Sequence, residues 1–236
     1  MHFRHSDDIW QDFPELVPGV LFATGITPAG VVDARIAAFD AIAQARLTGG
    51  TEGELPEIQA WRRAFSRMGL KPTQYRCASE ALLRRFRKDG SLPRIHPLVD
   101  LCNAVSLAFA VPIAVFDVAK LADHLEVRYA TGDETYASFA GETEHPQPRE
   151  VIFADRAGAA HARRWTNRQS AHSAVRDETS SVLVVAEALH ASARADVERL
   201  TSTLAAELAA IWPGDPKTAV LTRSAPRFEF PAAGRS

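Results

Sequence analysis

Helix and strand meet in the segment Pro97-Leu98-Val99-Asp100-Leu101-Cys102-Asn103, which continues to Pro112-Ile113-Ala114-Val115-Phe116-Asp117. Apolar residues recur at helical spacing after the opening proline, and a proline-led apolar run that ends in an acid then indicates a strand. Asp100 and Asn103 interrupt the apolar helix, where a polar group without a partner costs about 1–3 kcal/mol. We therefore expect both side chains to find partners, most simply in a polar pocket.

A second polar cluster follows further along the chain. It contains Trp165-Thr166-Asn167-Arg168-Gln169-Ser170, then Asp177-Glu178-Thr179, and finally Glu187, which directly follows the apolar run Val182–Ala186. A carboxylate at the end of a buried strand can point into a cleft and bind an amine or orient water, although it can equally end in solvent. The two clusters together predict one shared polar pocket.

The surrounding pattern predicts a single α+β domain. Helical periodicity and proline or glycine boundaries precede the segment, and short β-rich runs separated by glycine and proline follow it. We expect one domain over residues 1–236, with a helix-rich N-terminal half and a mixed β-sheet or sandwich C-terminal half. Its core is expected at about residues 10–210, with a loose tail from about residue 225.

Composition excludes several classes of protein. The chain has 236 residues, a net charge of −2 and two cysteines, so neither a disulfide framework nor a nucleic-acid-coating surface is expected. It has no apolar run long enough to span a membrane, and its start lacks the apolar core of a secretory signal. The predicted location is the cytoplasm, with no membrane association.

Familiar catalytic motifs are absent from the sequence. It contains no G-x-S-x-G, no phosphate-binding glycine loop, no H-E-x-x-H and no C-x-x-C. The histidines are scattered, and we expect His161 and His172 at the surface, so the sequence predicts no metal and no cofactor. Cys102 is either a nucleophile or, as its place on the apolar helix stripe favours, a small core residue.

Three further patterns allow both a functional and a structural interpretation. Asn103 either fixes a loop or lines a pocket, and Asp117 either caps a turn or serves the site. The basic helix face that includes Arg84 and Arg85, and the run around Arg164, suit RNA contacts but also suit a solvated surface.

Taken together, these residues resemble the B3/B4 module of the phenylalanyl-tRNA synthetase β subunit and its free-standing relatives. The module typically contains D-x-T-N, an apolar helix and G-x-P-x-H-x-F-D, where this chain has Asp100–Asn103 and Ala110–Asp117. The free-standing relatives carry an R-W-x-W-R-x-S-like segment, which Arg164–Ser170 resembles. The remaining similar stretches are Trp61-Arg62, Gly69–Pro72, Ser79–Arg85, Arg128–Glu134 and Val151–Asp155.

The resemblance implies a function and its residues. In the synthetase this module hydrolyses the ester between tRNA and a wrongly attached amino acid, notably tyrosine, so a stand-alone editing deacylase that acts on the tRNA acceptor end is implied. Asn103 and Glu187 match pocket residues of the module and are expected to be catalytic. Cys102 replaces a threonine and Ala114 replaces a histidine, which puts the synthetase's substrate preference in doubt.

The resemblance also implies how each remaining residue would act. A positioned water would attack the ester, and Asn103 with backbone N–H groups would stabilise the oxyanion. The other expected residues for substrate are Cys102, Ala114, Trp165, Asn167, Arg168 and Thr179, and those for RNA are Arg84, Arg85 and Arg164. The alternative is a non-catalytic module that binds a tRNA end or an amino-acid-like ligand, which the missing threonine and histidine favour.

Overall fold

Helices dominate the first half of the chain. The computed structural model describes residues 1–232, and within them five of the six α-helices precede residue 110. They are α1 (Asp7–Asp12), α2 (Asp33–Leu47), α3 (Pro56–Arg67), α4 (Ala78–Asp89), α5 (Pro97–Phe109) and α6 (Ala193–Ile211). Proline occupies the first turn of α3 and α5, where its missing N–H would have no intrahelical partner. The predicted helices are confirmed.

The strands form two large sheets and one small hairpin. The strands are β1 (His2–His5), β2 (Val17–Thr24), β3 (Ile113–Asp117), β4 (His124–Tyr129), β5 (Tyr136–Ala137), β6 (Thr143–Glu144), β7 (Val151–Asp155), β8 (Ala160–Arg163), β9 (Arg168–Gln169), β10 (Ser181–Ala188), β11 (Lys217–Val220) and β12 (Arg227–Glu229). One sheet has the order β12-β1-β4-β7-β8-β9, the second has the order β11-β2-β10-β3, and β5 pairs with β6. The α+β class is confirmed, although β1 and β2 show that the first half also contributes to both sheets.

Strand β10 lies at the centre of the layers. Leu183 and Val185 belong to the core between the two sheets, whereas Val182 and Val184 pack on the other side with α5 and α6. Successive side chains of a strand point to opposite faces. Because both faces of β10 are buried, its sequence is a continuous run of apolar residues over Val182–Ala186. Glu187 follows the same alternation and faces the core between the sheets.

Helix α6 lies close against β2. A Cβ atom placed on Gly19 would come within 2.5 Å of the side chains of Val197 and Thr201. Real Cβ atoms do not approach other atoms this closely, so the contact requires glycine. The absent side chain thus sets the distance between this helix and the sheet.

The C-terminal tail differs from the sequence prediction. Strand β12 pairs antiparallel with β1, and Phe228 and Phe230 are buried, with Phe230 stacked on Phe22. The expectation of a loose tail from about residue 225 is therefore wrong for residues 227–230, because alternate aromatic side chains anchor that segment. The core also extends beyond residues 10–210, since Phe3 is fully buried. The last four residues of the predicted tail lie outside the described part of the chain.

None of the helices within residues 1–232 combines the length and the apolar character that crossing a membrane would require.

Candidate functional site

A cleft opens between the two large sheets, beside the carboxyl end of β10. Its open volume, mouth included, is about 380 Å³. We call it the Glu187 cleft. Its lining residues are Ala78, Pro112, Ile113, Ala114, Phe153, Ala162, Trp165, Thr166, Asn167, Arg168, Gln169, Val185 and Glu187.

Sheet register explains why Ala114 and Glu187 share this cleft. Strands β3 and β10 pair antiparallel with Ala114 opposite Val185, so these two side chains point to the same face. Glu187 lies two residues further along and returns to that face. The prediction that the two positions meet in one cavity therefore has a direct geometric basis.

The carboxylate of Glu187 is buried and held on two sides. Its Oε1 lies 2.6 Å from Nε2 of His5, and Nε1 of Trp165 is 3.0 Å from each carboxylate oxygen. Only 1% of Glu187 is exposed, so these partners rather than bulk water satisfy its carboxylate oxygens. A carboxylate has about four lone-pair positions, which leaves acceptor capacity for a ligand at the cleft wall.

Aromatic residues fix the orientation of Trp165, one of the two partners of the carboxylate. The ring of Trp165 lies edge-on to Trp61 at 5.0 Å and to Phe13 at 4.8 Å. Nε1 of Trp61 donates to the backbone carbonyl of Glu187 at 3.3 Å. Edge-to-face aromatic packing restricts ring orientation, so the indole N–H remains directed at the carboxylate.

Trp165 reaches this position through a strained turn. Arg164 and Trp165 have positive φ angles of 47° and 58°, in the left-handed region that residues other than glycine seldom adopt. Backbone bonds hold the turn, since N–H of Trp165 donates to Val151 and N–H of Arg164 donates to Glu150. Burial raises the pKa of Glu150, but hydrogen bonds from Arg163 outweigh it and hold that pKa below its usual value, so an ionised carboxylate secures the turn.

Two amide side chains line the cleft near the carboxylate. Nδ2 of Asn167 donates to the carbonyl of Arg76 at 2.7 Å, and Nε2 of Gln169 donates to the carbonyl of Val115 at 2.5 Å. Each NH₂ group carries a second N–H that these bonds do not use. These amides give the cleft a hydrogen-bonding wall.

Asn103 lies in a neighbouring groove instead. We call this the Asn103 groove; it encloses about 570 Å³ and is lined by Ile95, Val99, Cys102, Asn103, Ile113, Val115, Phe139, Gln169, Ala174, Val175 and Arg176. Ile113 and Gln169 line both this groove and the Glu187 cleft. Asn103 lines the groove but not the cleft. The structure thus places the two expected catalytic residues in adjacent cavities, and their catalytic roles stay predictions.

Asp100 also takes a structural partner. Its Oδ1 accepts a hydrogen bond from N–H of Ile95 at 2.9 Å, and it lines a third cavity together with Asn103, Asp40 and Arg94. The expected single pocket for Asp100, Asn103 and Glu187 is therefore wrong, although Asn103 and Gln169 share the Asn103 groove. Asp100 and Asn103 share one face of α5 because they are three residues apart, and neither lines the Glu187 cleft.

Thr179 lies outside both cavities within the described residues. Its Oγ1 donates to Oδ2 of buried Asp117 at 2.9 Å, while Oδ1 of Asp117 accepts from N–H of Ala119. Asp117 therefore caps a turn, which is the structural alternative considered above. The role of Thr179 in substrate binding stays untested.

Of the four arginines expected to contact substrate or RNA, Arg168 lines the cleft and the other three do not. Arg168 lines the cleft and pairs with Glu144 at 3.0 Å, with 41% of its side chain exposed. Arg84 and Arg85 lie on the exposed face of α4, and Arg164 stacks over Tyr75 at 4.8 Å. Their RNA contacts remain predictions.

Neither cysteine is suited to act as a nucleophile. Burial raises the pKa of both Cys77 and Cys102 to about 12, so the reactive thiolate is scarce at neutral pH. Cys102 nevertheless lines the Asn103 groove, where a thiol acts as a small apolar contact.

Sequence reasoning missed two residues of the site, His5 and Gln169. It also placed His161, which lies outside both cavities, wrongly at the surface. No local sequence pattern indicated that His5 would contact Glu187, because the two residues are 182 positions apart. Gln169 stood inside a quoted segment but was not selected, although it borders both cavities. His161, expected at the surface, is fully buried, and its Nδ1 bonds to Ser173.

Comparisons with known proteins agree on one family. A family model described as the B3/4 domain matches residues 60–206. The phenylalanine–tRNA ligase beta subunit of Coxiella burnetii is 42% identical over 53 residues, and that of Mannheimia succiniciproducens is 38% identical over 74 residues. These stretches cover 22% and 31% of this chain but 7% and 9% of those subunits.

One solved structure gives a weaker match. A crystal structure of an N-terminal fragment of the phenylalanyl-tRNA synthetase beta-subunit from Pyrococcus horikoshii aligns over 91% of this chain and 49% of that fragment. The identity is 10% and the TM-score is 0.47.

Proposed function

Because the chain belongs to the B3/4 domain family, we propose that its Glu187 cleft hydrolyses the ester bond of mischarged aminoacyl-tRNA without ATP. The observation that carries this proposal is the buried carboxylate of Glu187, which borders the cleft and is oriented by His5 and Trp165. An oriented carboxylate of this kind is suited to hold the α-ammonium group of an esterified amino acid.

The chemistry requires no protein nucleophile. Water adds to the ester carbonyl carbon, the carbonyl oxygen becomes an oxyanion, and the bond to the ribose oxygen then breaks. That ribose oxygen takes up a proton originating from the water, so the products are a free amino acid and a tRNA with both terminal hydroxyls. Each well-placed hydrogen-bond donor to the oxyanion is worth about 10²–10³ in rate.

The unused amide N–H groups of Asn167 and Gln169 are the best-placed donors for this step. Both side chains line the cleft that Glu187 borders, and their existing bonds to backbone carbonyls fix their orientation. Asn103 instead faces the adjoining groove, so its contribution would be to hold the terminal nucleotide.

The Asn103 groove has the character of a nucleoside site. Phe139 at its edge is 65% exposed, and the guanidinium of Arg176 lies 5.8 Å from the centre of its ring. An exposed aromatic ring beside a cation suits a stacked base next to a phosphate. Because Gln169 borders both cavities, the ester between the terminal ribose and the amino acid would lie next to its amide.

The test is a deacylation assay over a broad panel of misacylated tRNAs. The wild-type protein is expected to release free amino acid from at least one of them, and Glu187→Gln should slow release by about 100-fold or more. The matched control is Glu142→Gln, because Glu142 is exposed and lies outside the lining of both cavities. Absence of release from every tRNA by folded wild-type protein would refute the proposal.

A binding module is the second candidate. Its support is that the carboxylate of Glu187 already has partners on two sides, while the position equivalent to the synthetase histidine is Ala114. A module would bind uncharged or charged tRNA ends without turnover, and Asn103→Ala would weaken that binding. Filter binding measured beside the deacylation assay separates the two functions.

A further inference from the structure

We propose that Glu57, His190 and Asp196 form a second site, outside the Glu187 cleft, that binds a transition-metal dication such as Zn²⁺. One donor atom from each residue lies within 4.8 Å of the other two. They come from three separate parts of the fold: the first turn of α3, the loop after β10 and the first turn of α6. The sequence predicted no metal because these donors are widely separated along the chain.

Two unpartnered atoms indicate that the cluster lacks a ligand. Oε2 of Glu57 and Nδ1 of His190 are both buried, and neither has a hydrogen-bond partner among residues 1–232. The two side chains are 9% and 2% exposed. Buried polar atoms in native proteins almost always have partners, so two orphaned atoms of metal-ligating type in one cluster need an explanation. A bound cation would give Oε2 of Glu57 a partner.

The remaining contacts leave these atoms free. Arg46 donates to Oε1 of Glu57 at 2.6 Å, and Arg199 donates to Oδ1 of Asp196 at 2.6 Å. The guanidinium of Arg46 leaves Oε2 of Glu57 free. Oδ2 of Asp196 already contacts Oγ of Ser192 at 2.7 Å and Nε2 of His190 at 2.8 Å, so a metal would take the place of the proton between Nε2 and Oδ2. Outer-sphere partners of this kind orient ligating carboxylates in metal sites.

The donor set favours a particular class of metal. One imidazole and two carboxylates match the ligands of zinc and similar borderline ions, whereas calcium and magnesium prefer all-oxygen sites. Two guanidinium groups offset the two carboxylates, so an ion that bonds strongly to imidazole nitrogen is favoured over one held by charge alone. A groove of about 950 Å³ lined by Glu57 and Asp196 leaves space for water to complete the coordination.

The site would also tie together elements that support the Glu187 cleft. Trp61 lies one turn after Glu57 on α3 and donates to the carbonyl of Glu187. His190 follows Glu187 by three residues. A bound metal would therefore fix α3 against the end of β10, and metal should raise the thermal stability of the protein.

The experiment uses untagged protein freed of metal by chelation. Calorimetric titration with Zn²⁺ is expected to show one equivalent bound, and Tm should rise by about 5 °C or more when free Zn²⁺ exceeds Kd 100-fold. Co²⁺ should give the visible absorption of a low-coordinate site. Glu57→Gln and His190→Ala should each weaken Zn²⁺ binding at least tenfold and remove the Co²⁺ spectrum.

His124→Ala is the matched control, because His124 lies 3.2 Å from Asp123 in a comparable pair at the surface. It should leave binding unchanged. Absence of Zn²⁺ binding by wild-type protein, or equal binding by Glu57→Gln with circular dichroism unaltered, would overturn the proposal and leave the cluster as an ion-pair network. Because Tm and the Co²⁺ spectrum require no tRNA, the result is independent of the deacylase proposal.

Discussion

The contact between His5 and Glu187 allows a quantitative prediction. Both side chains are almost completely buried and their polar atoms are 2.6 Å apart. His5→Leu leaves the carboxylate with the indole of Trp165 as its partner, and Glu187→Leu leaves the imidazole and the indole unpaired. Removing one member of a buried pair costs about 3–5 kcal/mol, so each single variant should lose about 3 kcal/mol of stability.

The double variant should be more stable than the sum of the single changes implies. Replacing both members by apolar side chains removes the unpaired groups apart from the indole N–H of Trp165, which costs about 1–3 kcal/mol. We expect a coupling free energy of at least about 1 kcal/mol. For a domain of this size, a loss of about 3 kcal/mol lowers Tm by roughly 6–12 °C.

Urea unfolding followed by circular dichroism measures this coupling in the four proteins of the cycle. His172→Leu is the control, because His172 is exposed and should change stability by less than about 0.5 kcal/mol. Losses for His5→Leu and Glu187→Leu that add within about 0.5 kcal/mol would show that the two side chains do not support each other.

Three further predictions test other parts of the structure. Because burial raises the pKa of Cys77 and Cys102 to about 12, neither thiol should react with a disulfide reagent at pH 8 until denaturant is added; rapid reaction of folded protein would contradict their burial. Burial raises the pKa of Glu134, but Arg128 and nearby backbone N–H groups outweigh it and lower the pKa to about 2. The ionised group therefore contributes stability above its unfolded pKa near 4.5, and this contribution should be lost as pH falls from about 4.5 to 2. Urea midpoints across that range should fall more steeply in wild type than in Glu134→Gln, and parallel curves would refute the assignment. Gly19→Ala should destabilise by about 1–3 kcal/mol in the same urea assay because its methyl group meets α6, and an unchanged midpoint would mean that this helix can move away.

Local sequence patterns correctly predicted the helices and strands whose boundaries and buried faces depend on residues close together in the chain. The proline start and apolar stripe of α5, and the continuous apolar run of β10, carry their information within about a dozen residues. The apolar run Val182–Ala186 also placed Glu187 at a strand end, and the resemblance linked it to Ala114. Both lie in the Glu187 cleft.

Contacts between segments far apart in the chain could not be predicted from the sequence pattern. Strand β1 is four residues long and joins β4 and β12, so the role of His5 depends on contacts across nearly the whole chain. The left-handed turn at Arg164 and Trp165 contains no glycine, so nothing in the sequence indicated it. Asn103 could not be separated from Glu187 because helix periodicity defines a face but not the cavity that the face borders.

The pairing of β1 with β12 brings the two described ends of the chain side by side. The amino group of Met1 donates to the carbonyl of Phe230 at 2.9 Å. A circular permutant could therefore link residue 232 to Met1 through a short peptide and open instead at Gly141, an exposed left-handed turn distant from His5 along the chain. In such a rearranged polypeptide the imidazole that faces Glu187 would follow the strands β6 to β12 rather than precede them.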